Sequence, residues 1–221
     1  MHNDLKQYEL LIFDWDGTLM DSTGSITRSI QRAAADIGLA VPSDEVAAHV
    51  IGLSLQDALH YALPSLDPED YPALVERYRH HYLAQDADIV LFDGIAEMLE
   101  KLRKRGHLLA VATGKNRPGL DRVLNSTSLT RMFDATRTAD ETRSKPHPQM
   151  VLELTDYLGV DPKRSLMVGD TTHDLQMAQS AGVAALGVSY GAHPHENLAA
   201  LKPLAVLRSS KDLDIWLTTH A

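Results

Sequence analysis

The stretch ELLIFDWDGT, residues 9–18, decides the fold. After Glu9 come Leu10, Leu11, Ile12 and Phe13, an unbroken apolar run that stops at Asp14. A run this short reads as a strand buried in a parallel sheet. It leaves Asp14 and Asp16 at the strand's carboxyl end, two residues apart and so on the same side of an extended chain. One such carboxylate can act as a nucleophile, and the other as an acid and then a base. Gly17 lets the backbone turn tightly and come close to a phosphate. Taken alone, Asp14-Trp15-Asp16-Gly17-Thr18 also reads as a solvated turn, where Asp and Gly are common.

Outward from this strand the period changes. Ile26, Ile30, Ala33 and Ile37 share one helical face, so a helix is expected over 22–38. Ser54 and Asp57 have capping-box spacing ahead of Leu55, Ala58, Leu59 and Ala62. Tyr71, Leu74, Val75, Tyr78 and Tyr82 form another helical stripe. From Asp21 to about Leu83 no strand is expected. Beyond that, strands at 108–112, near Phe133, and at 165–168, 184–188 and 205–207 alternate with helices. One helix carries Ile95, Met98, Leu99 and Leu102 and ends at Gly106; another starts at Pro118. A third follows Pro146 and stops near Gly159, and a fourth spans 175–181. Alternation of this kind predicts a doubly wound parallel sheet, a Rossmann-like α/β core covered on both faces. The core is expected over 1–18 and 86–221, with an all-helical cap at 19–85.

Ligands of open parallel sheets bind beyond the carboxyl ends of the strands, and three further polar groups fall there. Ala112-Thr113-Gly114-Lys115 could hold phosphate oxygens through a hydroxyl and free N–H groups, or could simply be a helix start capped by Thr113. Gly169-Asp170-Thr171-Thr172-His173-Asp174 puts two carboxylates four residues apart at a helix start, so that they share a face. That pair suits Mg²⁺, which takes one or two carboxylates, with water and phosphate completing its oxygen shell. It also suits ordinary capping by Asp. Lys145, a solvated lysine if read alone, supplies the fixed cation that a carboxylate nucleophile and a phosphate together require.

Composition narrows the partners. A formal charge of −9 argues against a binder of nucleic-acid backbones. The absence of cysteine excludes disulfides and thiolate sites. Neither an apolar leader core nor an apolar run long enough for a bilayer is present, so a cytoplasmic location is expected and no membrane partner is indicated. His80, His81, His193 and His195 have no partner spacing and read as surface residues.

Together, FDWDGTLMDS, ATGK, SKPHPQM and MVGDTTHD resemble the haloacid dehalogenase-like hydrolases in their phosphatase branch, in the same order and across nearly the whole chain. The stretch from Lys145 to Val183 looks like phosphoglycolate phosphatase relatives. The resemblance implies that Asp14 attacks phosphorus and also binds Mg²⁺. It makes Asp16 the proton donor to the leaving oxygen and then the activator of water, with its backbone carbonyl on the metal. Thr113, Gly114 and Lys145 would hold phosphate, Lys145 also steadying Asp14. Asp170 would ligate the metal and Asp174 support it. Trp15 departs from the usual aliphatic residue, and its side chain is expected to point away from the pocket.

Asp16 disfavours the dehalogenase branch, which lacks it. The absence of lysine between Ser22 and Leu83 disfavours phosphonate cleavage through a Schiff base. A sugar phosphomutase or a pyrophosphatase stays open, as does a partner-binding module on an inactive scaffold. Gly52, before Ser54, resembles the cap loop that faces the active site, and otherwise reads as a capping turn. Arg28 and Arg32 could meet a substrate carboxylate, or form a solvated face.

Overall fold

The computed structural model describes residues 7–85 and 89–221. Residues 1–6 and the expected cap-to-core boundary at 86 lie outside them. Six strands form one sheet: β1 (Leu10–Phe13), β2 (Leu108–Thr113), β3 (Ala135–Thr138), β4 (Ser165–Gly169), β5 (Ala184–Val188) and β6 (Val206–Leu207). Their order is β3-β2-β1-β4-β5-β6, and every neighbouring pair is parallel.

The pleat sorts β1 onto two faces. Leu11 and Phe13 join one apolar cluster, and Leu10 and Ile12 join the other. That is why the run could be apolar without interruption. Four helices leave the sheet after β1: α1 (Thr23–Asp36), α2 (Asp44–His49), α3 (Leu55–Ala62) and α4 (Tyr71–Leu83). The chain then returns through α5 (Ile95–Lys104), α6 (Arg117–Ser126), α7 (Gln149–Leu158), α8 (Thr172–Ser180), α9 (His195–Ala200) and α10 (Ser210–His220). Helices α5, α6 and α10 cover the Leu11 face, while α7, α8 and α9 cover the Leu10 face.

The expected α/β order is observed, with three helices that the sequence reading did not expect, α2, α9 and α10, and with differences at the ends of elements. The first helix stops at Asp36, because Gly38 takes a left-handed φ of 75°. The helix expected from 175 starts at Thr172, where Thr171 caps it. The strand expected near Phe133 begins at Ala135. Helices α2 and α9, each one and a half turns long, are too short to show a period.

The insert is tied to the core at its root. Asp21 N–H donates to Val90 O at 2.9 Å and Phe92 N–H to Leu19 O at 3.0 Å, so the outgoing and returning chains pair side by side. Helix α1 packs on α4 and α2 within the insert. Among the described residues, no helix is long and apolar enough to cross a membrane.

Candidate active site

The chain runs outward from β1 to β3 on one side and from β4 to β6 on the other, so the sheet reverses its winding between β1 and β4. Phe13 is in register with Val168. Asp14 and Asp170, which follow these strands, therefore emerge close together at the point where crevices open in such sheets.

Lys145 is the hub of the site. Its Nζ lies 2.7 Å from Asp14 Oδ1 and 2.7 Å from Asp174 Oδ1, with all three side chains essentially sealed from solvent. Burial pushes the Asp14 carboxyl well above the usual carboxylate range; Lys145 works against this, and Asp174 and Asp170 add to it. For Lys145 itself, burial opposes the charge, but the two carboxylates outweigh it and raise its pKa.

Asp174 bears out the capping reading and pairs with Lys145 as well. Its Oδ2 accepts from Thr171 N–H at 3.1 Å and from Thr171 Oγ1 at 2.7 Å, completing the capping box of α8. Its Oδ1 is then left to face Lys145. The cap fixes the rotamer that makes the ion pair possible.

Asp170 is fully enclosed. Oδ1 accepts from Thr18 Oγ1 at 2.8 Å, and Oδ2 from Ala192 N–H at 2.7 Å. Burial, followed by the Asp174 charge, lifts its pKa to about 7 against these hydrogen bonds. Gly17 sits against this carboxylate with a φ of 77°; a Cβ there would collide with it. The tight turn expected at Gly17 thus serves the approach to Asp170.

Asp14, Asp170 and Asp174 each bring an oxygen within 4.8 Å of the others. Three buried carboxylates against one ammonium leave two negative charges uncompensated, a large penalty in a dry site. Asp14 Oδ2 has no hydrogen-bond partner among the described residues. A hard divalent cation with oxygen ligands fits both the charge and the donor set. Asp16 brings no carboxylate oxygen to this group.

Asp16 faces elsewhere. Its Oδ1 accepts from Ser22 Oγ at 2.6 Å and pairs with Lys115 Nζ at 3.0 Å. Lys115 also donates to Tyr82 Oη of α4 at 3.0 Å. The sequence reading put Lys115 beside the phosphate and gave Ser22 and Tyr82 no part in the site. Tyr82 appeared there only as one member of an apolar stripe, and nothing local marks a tyrosine that reaches across to another layer.

Thr113 is buried, and its Oγ1 accepts from Lys115 N–H at 3.2 Å. It does not cap α6; Asn116 does, accepting from Gly119 N–H at 2.9 Å. Gly114 packs so closely on the carbonyls of Gly52 and Leu53 that a Cβ would clash with them. Gly52 itself lies over the site: a Cβ there would be 3.9 Å from Asp14 Oδ2 and 3.3 Å from Thr171 Oγ1. Ser54 caps α3, but its N–H donates to Ser144 Oγ at 2.8 Å across the seam rather than to Asp57.

Arg28 and Arg32 are exposed, as the solvated-face reading had it. Trp15 is buried, edge-on to Phe133, with its Nε1–H on Met20 Sδ. The expectation for His193 is corrected: it is buried, not a surface residue. Its Nδ1 accepts from Thr172 N–H at 3.0 Å, and its Nε2 contacts His49 O at 3.0 Å. His173 Nε2 reaches the same carbonyl at 2.9 Å. The loop holding His193 folds back onto α8, a contact across more than twenty residues that spacing could not reveal. Burial holds His193 down at about 4, so it is neutral near pH 7. His80 is exposed, and His81 pairs with Asp36 at 2.7 Å.

Residues 11–188 match the family model for haloacid dehalogenase-like hydrolases. A probable phosphatase, IndB, from Dickeya dadantii is 37% identical over 90% of this chain and 88% of its own. A 5'-nucleotidase from Pseudomonas aeruginosa is 33% identical over 92% of both chains. The crystal structure of a predicted phosphoglycolate phosphatase from Haemophilus somnus superposes with a TM-score of 0.83 at 27% identity, over 96% of this chain and 99% of that one.

Proposed function

This chain belongs to the haloacid dehalogenase-like hydrolases and is a phosphatase of that family; we propose that it cleaves a small phosphate monoester through a phospho-aspartate on Asp14, with Mg²⁺ held beside it. The observation that carries this reading is the sealed Asp14–Lys145–Asp174 bridge next to Asp170, at the point where the sheet reverses its winding.

Asp14 attacks phosphorus with a carboxylate oxygen. Lys145 offsets the repulsion between that carboxylate and the incoming phosphate. Thr113 Oγ1 and the backbone N–H of Gly114 hold phosphate oxygens. Asp16 gives a proton to the leaving oxygen, and then takes one from the water that cleaves the phospho-aspartate. Asp14, Asp170 and the backbone carbonyl of Asp16 would hold Mg²⁺, with Asp174 supporting the set. When bound, the ion offsets the charge of the phosphate and the carboxylates.

The helical insert, α1 to α4, is the cap. With Gly52 over Asp14 and Ser54 bonded to Ser144, it closes the crevice and limits the size of the substrate. Phosphoglycolate is the first substrate to try, because the superposed Haemophilus protein bears that name.

The test is phosphate release from phosphoglycolate, pyrophosphate, mononucleotides and hexose phosphates. It is run with Mg²⁺, with EDTA, and with Asp14→Asn. We expect release that needs Mg²⁺ and is lost in the variant, and a phosphate adduct on Asp14 by mass spectrometry after rapid quenching. Release that persists undiminished in Asp14→Asn would overturn the nucleophile assignment.

A further inference from the structure

Lys115 is a largely, not fully, enclosed lysine in the site to which the chemistry above gives no task. Its backbone is pinned by N–H donation to Thr113 Oγ1 at 3.2 Å and by its carbonyl, which accepts from Ala139 N–H at 3.0 Å. Its side chain is 10% exposed, as is that of Asp16. The ammonium has three N–H donors. One points at Asp16 Oδ1 and one at Tyr82 Oη, both at 3.0 Å. The ring of Tyr82 stands 5.0 Å from Nζ, with Tyr78 stacked beside it and the Arg122 guanidinium 5.8 Å from the same ring.

This corner is where the leaving group must sit. A leaving oxygen that takes a proton from Asp16 lies within hydrogen-bond reach of that carboxyl. It is therefore within about 8 Å of the ammonium, whichever carboxylate oxygen it meets. A neutral leaving group would offer Lys115 nothing that Asp16 does not already supply. An anionic one would meet the remaining N–H and a charge held in a poorly solvated place, where ion pairing is strong. Tyr82 comes from the insert, so this wall is complete only when the insert rests on the core.

We propose that Lys115, walled by Tyr82, is the specificity determinant for the leaving group, and that it selects phosphate substrates whose leaving group carries its own anion, a carboxylate or a second phosphate. This deepens the functional reading above and presupposes the roles given there to Asp14 and Asp16.

The experiment compares kcat/KM for 2-phosphoglycolate, pyrophosphate and ethyl phosphate in the wild type, Lys115→Met, Lys115→Arg and Tyr82→Phe. Ethyl phosphate matches phosphoglycolate in length but leaves as a neutral alcohol. The wild type should favour at least one anionic substrate over ethyl phosphate. Lys115→Met should cut that preference by about thirtyfold or more, the loss expected of a charge-assisted hydrogen bond. Lys115→Arg should keep most of the preference. Tyr82→Phe, which keeps the ring, should lower it severalfold, and it serves if Lys115→Met does not fold. A preference lost for phosphoglycolate alone assigns a carboxylate to the subsite; one lost for pyrophosphate alone assigns a second phosphate. Equal losses on ethyl phosphate and the anionic substrates would overturn the proposal, and Lys115 would then serve only to hold Asp16. A wild type that turns over none of the three but releases phosphate from a mononucleotide or a hexose phosphate overturns the subsite alone; one that releases phosphate from none of these, and takes none onto Asp14, overturns the proposed monoester hydrolysis and the subsite with it.

Discussion

Lys145 shows how one residue is settled by its surroundings. It stands between two carboxylates in a dry site, so removing its charge leaves Asp14 facing Asp174 with nothing between them. In EDTA, Lys145→Met is expected to lose about 3 kcal/mol or more of stability, read from urea unfolding against the wild type. Mg²⁺ should recover part of that loss, because it supplies the missing positive charge. A variant as stable as the wild type without metal would contradict the burial argument. Gly17→Ala tests the neighbouring carboxylate. The added Cβ collides with Asp170 and must adopt a φ of 77°, so weaker Mg²⁺ binding by calorimetry and slower phosphate release are expected together. The positions of Asp14 and Asp170 at the mouth of the crevice were legible in the sequence because both follow apolar strands. Those of Ser22 and Tyr82 were not, since a serine after a turn and a tyrosine in a helical stripe carry no local mark of what they will touch.

At the scale of elements, the seam between insert and core rests on short polar contacts. The carbonyl of His49, at the end of α2, meets both His173 and His193. His193→Ala takes one partner from that carbonyl and the acceptor from Thr172 N–H, both in a part-buried setting. A loss of about 1–3 kcal/mol is expected in thermal or urea unfolding, with faster amide exchange at Thr172. Unchanged exchange there would show that the start of α8 does not depend on the histidine. Gly114→Ala acts on the other side of the seam: its Cβ would push the Gly52–Leu53 carbonyls away, so a raised KM is expected together with a measurable loss of stability in urea unfolding. Helices α1 and α4 were legible because an apolar face repeats over three or more turns, whereas α10, about three turns long, was not expected. Helix α2 was not, for it has one and a half turns and a single buried residue.

At the scale of the whole molecule, the proposed closure of the insert over the sheet is open to test through its contact with the core. Ser54 N–H bonds Ser144 Oγ at 2.8 Å, and the chain contains no cysteine of its own. A double variant, Ser54→Cys with Ser144→Cys, can therefore be oxidised without competing thiols. Locked closed, it should turn over about tenfold more slowly or worse, and recover with reductant. Equal rates in both redox states would mean that substrate reaches Asp14 without the insert moving. By itself, the sequence determined the parallel α/β core, the point at which helices interrupt it, and the strand ends from which Asp14, Thr113 and Asp170 emerge. Those properties follow from periodicity and from polar residues that end apolar runs, and both are local along the chain. Only the tertiary structure decided that Asp174 is cap and ion-pair partner at once, that Lys115 joins Asp16 to the insert, and that His193 is buried at the seam. Each of these depends on groups far apart in sequence sharing one desolvated space, where the partner that happens to be near sets the charge, the hydrogen bond and the role.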